Sequence, residues 1–504
     1  MLYSTQVLDA AVQTVNDLHS RDPFDFGITL GDACNNSAYN ETRWFIDVLD
    51  GKVITPSSGV HVGSDNIDYQ MPFQAVGLDS DIPWYMVLGN HDHFFIGSFP
   101  IDAEPSLGLR ESYTADTVWA AGSSIRREDF SSFPPVFDYR NLRADPLVYP
   151  GILDGTTPNG DIVHAGPTDD PAFGGQAPRV APDPDRRPLV RSGWMDEFFK
   201  TTSQPVGHGF NLIERDTGKP EDAAFACYSF VPKAEIPLKV IVLDVTQSSD
   251  DGSFDIHGHG YLDARRLEWL KAELASGQAN NQLMIIAAHI PIGVSAVGSH
   301  MQWWAGDENT KRGYENAVDL AGLVDILRGG PNLLMWLAGH RHMNVVKAFP
   351  SADASRPEQG FWQVETASLR DFPQQFRSYD IYLNSDYSVS IAALNVDVAA
   401  AEGTPAAQWR KLAIAAQQII QNNITLNNPN LATAGGRGTL PIVSIDPTRP
   451  QSDDPTALDP SIRYEDLSAA EIPVPYHASC NAELVKPLSH EMVAHLRQTY
   501  VFQN

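Results

Sequence analysis

Apolar and polar positions along this chain follow two alternating patterns. At the start, Val7, Leu8, Ala11, Val15 and Leu18 recur close to helical spacing, which predicts an amphipathic helix in "MLYSTQVLDAAVQTVNDLHS". Short apolar runs rich in β-formers then recur, each ending in a polar cluster: "FGITLGDACNN", "WYMVLGNHDH", "KVIVLDVTQ", "QLMIIAAHIP" and "NLLMWLAGHRH". Helical patterns lie between several of them. In "LDARRLEWLKAELASG" the side chains of Leu267, Leu270 and Leu274 share one face, and "ENAVDLAGLVDILRGG" precedes the last of the runs. Continuous apolar strands suit a sheet covered on both faces. Strands alternating with helices predict the α/β fold class. Ligands of such sheets gather beyond the carboxyl ends of the strands, where four of the five polar clusters would fall.

Two regions break the rhythm. From 97 to 205 the chain is rich in Pro, Gly and Asp, as in "DPLVYPGILDGTTPNGD" and "APDPDRRP", and reads as a long ordered insertion or lid. After "GFWQVETASLRDFPQQFR" the segments "SYDIYLN" and "YSVSIAALNVD" read as strands. The tail then holds a helix from Ala406 to Gln421 and a Pro- and Asp-rich segment from Thr439 to Pro475 that is expected to wrap the surface. The expected organisation is a main domain over 1–397 carrying the 97–205 insertion, followed by an extension over 398–504.

Charge narrows the partners. The 63 acidic residues outnumber the 35 basic ones for a net charge of -28, which argues against nonspecific binding to nucleic acid or anionic lipid. An anionic substrate would need a local positive field, and bound cations are one source of it. The three cysteines, Cys34, Cys227 and Cys480, have neither the number for a disulfide framework nor zinc-finger spacing. No apolar run is long enough for a transmembrane helix, so no membrane span is expected. The first residues lack the basic and apolar regions of a signal peptide, and both cytoplasmic and exported locations stay open.

The strand-end clusters carry ligand-type side chains: Asp32 in "GDACN", Asn90 and His91 in "GNHD", His289 in "AAHIP", and His340 with His342 in "GHRH". This mixture of nitrogen and oxygen donors suits zinc, manganese or iron. One carboxylate can bridge two such ions, and a pair of ions can clamp a phosphoryl oxygen and activate water. "GVSAVG" lacks the spacing of a serine nucleophile elbow and reads as a loop. His61 and His208 have only weak claims as substrate contacts, and His93 reads as a structural histidine.

In order and spacing these motifs resemble the calcineurin-like metallophosphoesterase superfamily, whose string runs D-x-H, G-D-x-x-D/N, G-N-H-D/E, a lone H, and G-H-x-H. The last four occur here over Gly27 to Asp397. The resemblance implies a four-layer αββα sandwich of two mixed sheets and a dinuclear centre of Mn, Fe or Zn. It implies hydrolysis of a small phosphorylated substrate, a phosphomonoester or phosphodiester, by a metal-activated hydroxide. Carried over by residue, Asp32 would bridge both ions. Asn90, His289 and His340 would complete the second site, and His342 would belong to the first. His91 would be the general acid, oriented by Asp92, and Asn35 would support the site from behind. The segment "VETASLRDFPQQF" resembles a subgroup of uncharacterised bacterial members, and with Trp303 and Trp304 it is a candidate wall of a substrate pocket.

The family's first motif, D-x-H, has no counterpart ahead of Gly27. Asp255 and His257 form a D-x-H in the wrong chain order, inside a Gly-rich loop, where a loop contact or capping role is the expected one. A late start, a shortened chain or a true loss of the first site would each explain the gap. The expectation is that the natural gene encodes more protein upstream. Two further readings stand beside the dinuclear enzyme: a metal-binding scaffold without catalysis, and an enzyme with one ion held by Asp32, Asn90, His289 and His340.

Overall fold

The computed structural model describes residues 3–56, 71–95, 97, 99–100, 114, 148–153, 162–167, 183–214, 219–247, 260–293, 316–371, 373–411, 413, 481–500 and 502. The fold is mixed α/β. The chain runs α1 (Ser4–His19), β1 (Gly27–Thr29), α2 (Tyr39–Leu49), β2 (Trp84–Met86), α3 (Arg191–Glu197), β3 (Tyr228–Phe230), β4 (Leu238–Leu243) and α4 (Ala264–Ala279). It continues with β5 (Leu283–Ala288), α5 (Leu320–Arg328), β6 (Leu333–Ala338), β7 (Val345–Phe349), β8 (Phe361–Glu365), β9 (Gln375–Leu383), β10 (Val389–Asp397), β11 (Ala482–Lys486) and α6 (His490–Thr499).

The centre is a six-stranded sheet in the order β7-β8-β6-β5-β4-β3. Strands β4, β5, β6 and β8 are parallel, while β3 and β7 pair antiparallel at the edges. Every residue of β5 and β6 is buried, as their unbroken apolar runs demand. Alternate side chains go to opposite faces. Ile241, Leu243, Ile286, Ala288, Trp336 and Ala338 meet Leu267, Leu270 and Leu274 of α4 and Leu323, Val324 and Leu327 of α5. These two crossover helices start where Asp263 accepts from the Arg266 N–H and Asp319 accepts from the Gly322 N–H, which satisfies the open amides of each first turn. On the other face Ile285, Met335, Leu337 and Val364 pack against Val389, Ile391 and Leu484 of a three-stranded antiparallel sheet, β9-β10-β11, with Met492 and Leu496 of α6 closing the cluster. Full burial of each large apolar side chain contributes roughly 1.5–3 kcal/mol, so this two-sided core holds the strand ends in place.

The remaining sheet that bears on function is the parallel pair β1 and β2, aligned Gly27 to Trp84. Its residues pack with Val240, Val242 and Ala287 of the central sheet and with Trp194, Met195 and Phe198 around α3. Both strands have three residues, shorter than the runs "FGITL" and "WYMVL" suggest. Each chain leaves the ladder early to enter a polar loop, and Ile28 and Leu30 reach across to the cluster that contains Leu337. The C-terminal ends of β1, β2, β5 and β6 thereby open onto one place.

Helix α1 forms where its periodicity predicts, and Val7, Ala10 and Ala11 pack with Leu369, Phe376, Val398, Ala406 and Trp409. The tail helix is described over 405–411 and at 413, and its continuation to Gln421 lies outside the described residues, as does the segment from Thr439 to Pro475. Residues 481–500 return to the core as β11 and α6, so this part of the tail is more than a wrapping. Most of the 97–205 stretch also lies outside the described residues. No helix among the described residues is long and apolar enough to cross a membrane.

Candidate metal centre

The loop after β1 carries Asp32 and Asn35, the loop after β2 carries Asn90 to His93, and the turns after β5 and β6 carry His289, His340 and His342. Three of these residues, Asp32, His340 and His342, have φ of 58°, 67° and 57°, in the left-handed region that costs non-glycine residues energy. The turns place all three side chains at the strand ends at the expense of backbone strain.

The loops are laced together by a buried carboxylate. Asp92, fully buried, accepts from the Asp32 N–H at 2.9 Å and the Gly89 N–H at 2.8 Å through one oxygen, and from the Cys34 N–H at 3.3 Å through the other. The approach of the two loops is so close that a Cβ on Gly89 would stand 2.2 Å from Asp32 Oδ1. The expected task of Asp92, orienting His91, finds no hydrogen bond among the described residues. His91 is held instead by the Asn35 carbonyl, 2.9 Å from its Nδ1. Asp92 faces the other way because its oxygens are taken by the amides of the Asp32 loop. Burial first, and then the neighbouring Asp32 charge, push the Asp92 carboxyl above the usual range.

Four ligand-type atoms converge. His289 Nδ1 lies 2.6 Å from the Leu30 carbonyl and donates there, so a neutral ring turns the lone pair of Nε2 inward. That nitrogen is 3.0 Å from Asn90 Oδ1 and 3.1 Å from Asp32 Oδ2. Asn90 is oriented by its own amide, which donates to the Gly97 carbonyl at 2.9 Å and leaves Oδ1 facing the histidines. His340 Nδ1 stands 3.1 Å from Asn90 Oδ1 and 3.2 Å from His289 Nε2. Asp32, His289 and His340 have ligand atoms within 4.8 Å of one another and are the group of this kind found among the described residues.

This donor set fits a first-row divalent ion. Acceptor lone pairs facing one another repel unless a proton or a cation lies between them, and ligands bound at about 2.1 Å stand roughly 3 Å apart around one ion. The electrostatics already show the pull. Burial alone would raise the Asp32 carboxyl, but His289, His91 and His340 outweigh it and hold the group far below the usual range. Burial would lower His289, and Asp32 reverses that and raises it.

His342 lies outside this group. Its Nδ1 is 3.0 Å from Asp371 Oδ2, a partner the sequence motif does not announce. The neighbouring Arg370 donates through Nη1 to Asn35 Oδ1 at 2.9 Å. Both belong to "RDFPQQF", singled out above as a pocket wall without individual roles; the opposite charges side by side just after β8 were the available signal. Trp303, Trp304, His61, Asp255 and His257 lie outside the described residues.

Two histidines are built into the surroundings. His93 bonds Thr246 Oγ1 at 2.9 Å, beside a buried cluster in which Arg191 and Arg266 both pair with Asp244 at the end of β4. His208, which had a weak claim as a substrate contact, is fully buried, stacked at 3.4 Å on Trp84 and bonded through Nδ1 to the Trp84 carbonyl. Burial pushes His208 down to about 4. The unfolded chain, with an ordinary histidine near 6.5, therefore takes up this proton first as the pH falls. The contribution of neutral His208 is complete above pH 6.5 and is lost progressively toward pH 4, about 3 kcal/mol at most. Between those pH values the unfolding midpoint of the wild type should fall more steeply than that of His208→Asn; equal slopes would rule this origin out.

No family model matches the chain, and no curated protein matches it. Among solved structures, the chain is similar to a dimetal phosphatase from Danio rerio, with 13% identity and a TM-score of 0.23, over 34% of this chain. The chain spans 58% of the length of that phosphatase.

Proposed function

We propose that this chain is a metal-dependent phosphoric ester hydrolase acting on a small phosphorylated substrate, a phosphomonoester or phosphodiester. The observation that carries the reading is the convergence of ligand-type atoms of Asp32, Asn90, His289 and His340 at 3.0–3.2 Å. In this reading Asn90, His289 and His340 would hold one ion together with Asp32, and His342 would serve a second. The metals, Mn, Fe or Zn, would supply Lewis-acid stabilisation of phosphoryl charge and acidify a bound water.

The chain's own groups then divide the work. His91, fixed through Nδ1 by the Asn35 carbonyl, would turn Nε2 to the leaving-group oxygen and hand it a proton. Asp92 would keep Asp32 and the "GNHD" loop in register through their amides. Asp371 would orient His342 as carboxylates orient metal-binding imidazoles. With the function goes the four-layer αββα arrangement of two mixed sheets; its layering is supported by the packing of the mixed central sheet between the antiparallel β9-β10-β11 and the helices α4 and α5. A catalytic domain over 1–397, with 97–205 as its insertion, is part of the same proposal.

The one-ion reading has its own support, because the group that closes within 4.8 Å leaves out His342. Elemental analysis of the purified chain, paired with hydrolysis of a chromogenic phosphomonoester and phosphodiester in added manganese or zinc, decides among the readings. About two ions with turnover is the expected result. One tightly held ion with weak turnover would select the mononuclear enzyme. Bound metal without turnover on either ester would select a scaffold, and no bound metal would reject the centre.

A further inference from the structure

We propose that Arg370 is the anion-binding residue of this centre and takes a non-bridging oxygen of a phosphate monoester. The inference rests on the hydrolase reading and names the substrate class within it. Arg370 Nη1 sits 2.9 Å from Asn35 Oδ1, and the carbonyl of the same Asn35 holds His91. The next residue, Asp371, holds His342. The dipeptide thus touches Asn35, the support of the proposed acid, on one side and the outlying His342 on the other.

The backbone beneath it is anchored. Trp409 Nε1 donates to the Arg370 carbonyl at 2.7 Å, the Arg370 N–H donates to Ser368 Oγ at 2.9 Å, and Leu369 is packed against Val7, Ala10, Ala11 and Trp409. The guanidinium itself is under-used. Its Nε is 3.9 Å from Asp371 Oδ1, its side chain is 41% exposed, and Nη2 has no partner among the described residues. Arg341 and Arg410 nearby are engaged by Glu365 and Asp397. In a chain of net charge -28, a fixed guanidinium with an open edge is suited to draw in and orient a phosphate dianion. A monoester carries more charge than a diester and gains more from it.

Isothermal calorimetry with inorganic phosphate on the metal-loaded full chain tests this. Arg370→Gln removes the charge and the fork and, ending two bonds short of Nη1, also releases Asn35 Oδ1, a contact that Asn35→Ala breaks with the arginine kept. Arg370→Gln should weaken phosphate binding about tenfold or more at unchanged metal content, with Arg370→Lys in between. The KM for a phosphomonoester should rise in Arg370→Gln more than that for a phosphodiester. Wild-type phosphate affinity in Arg370→Gln overturns the proposal, and so does a fall in kcat with phosphate affinity retained, which would make Arg370 a prop for Asn35. A wild type that loads metal yet binds no phosphate also overturns it and leaves the metal centre standing. A wild type that loads no metal fails at the underlying reading instead.

Discussion

His91→Ala should lower kcat by about two to four orders of magnitude on an alkyl phosphate while metal content stays at the wild-type level. The ring touches the Asn35 carbonyl through Nδ1, and its backbone N–H donates to Asp32 Oδ1 at 2.9 Å, a bond that alanine keeps. The metal-facing atoms of Asp32, Asn90, His289 and His340 should therefore hold their places. On the proposed reading what disappears is a proton donor, and its worth depends on the leaving group. An alkoxide needs protonation, whereas a nitrophenolate leaves readily without it, so the deficit should shrink sharply on the activated ester. A variant that turns over the alkyl ester at the full rate would remove His91 from the chemistry. A deficit equal on both esters would assign it to positioning or binding instead.

Asp32→Asn is expected to abolish both metal binding and turnover. Asparagine tolerates the left-handed backbone at this position, where φ is 58°, and preserves the shape of the side chain, so the fold should survive. The charge does not survive. Asp32 Oδ2 faces His289 Nε2 at 3.1 Å with 15% of the aspartate side chain exposed, and the carboxylate is the anion of the converging group. Loss of a partner outside the ligand shell already costs metal centres roughly 10–100-fold in affinity, and loss of the ligand itself should exceed that. Elemental analysis after dialysis, with circular dichroism as the check on folding, reads the result. Retention of wild-type metal with a native spectrum would move the centre away from Asp32. The two variants are diagnostic together: the first separates turnover from metal content, and the second removes both.

The sequence by itself determined the strands and the ligand-type residues at their ends. An apolar run buried on both faces is written in consecutive residues, as in β5 and β6, and the loop that follows is covalently tied to its strand. Asp32, Asn90, His289 and His340 could therefore be named as candidates from local pattern, and the helices α4 and α5 from their apolar spacing. The tertiary structure decided which groups serve them. The Leu30 carbonyl that sets the His289 tautomer is 259 residues away, Arg370 meets Asn35 across 335, and Trp409 secures Arg370 from a helix outside the motif region. Asp92 turned from its neighbour His91 to the amides of Asp32 and Cys34 for the same reason. Hydrogen bonds to backbone carbonyls and amides require no particular residue type there, and a side-chain pair such as Arg370 with Asn35 is too far apart in sequence to form a spacing, so only the packing of distant segments brings them together.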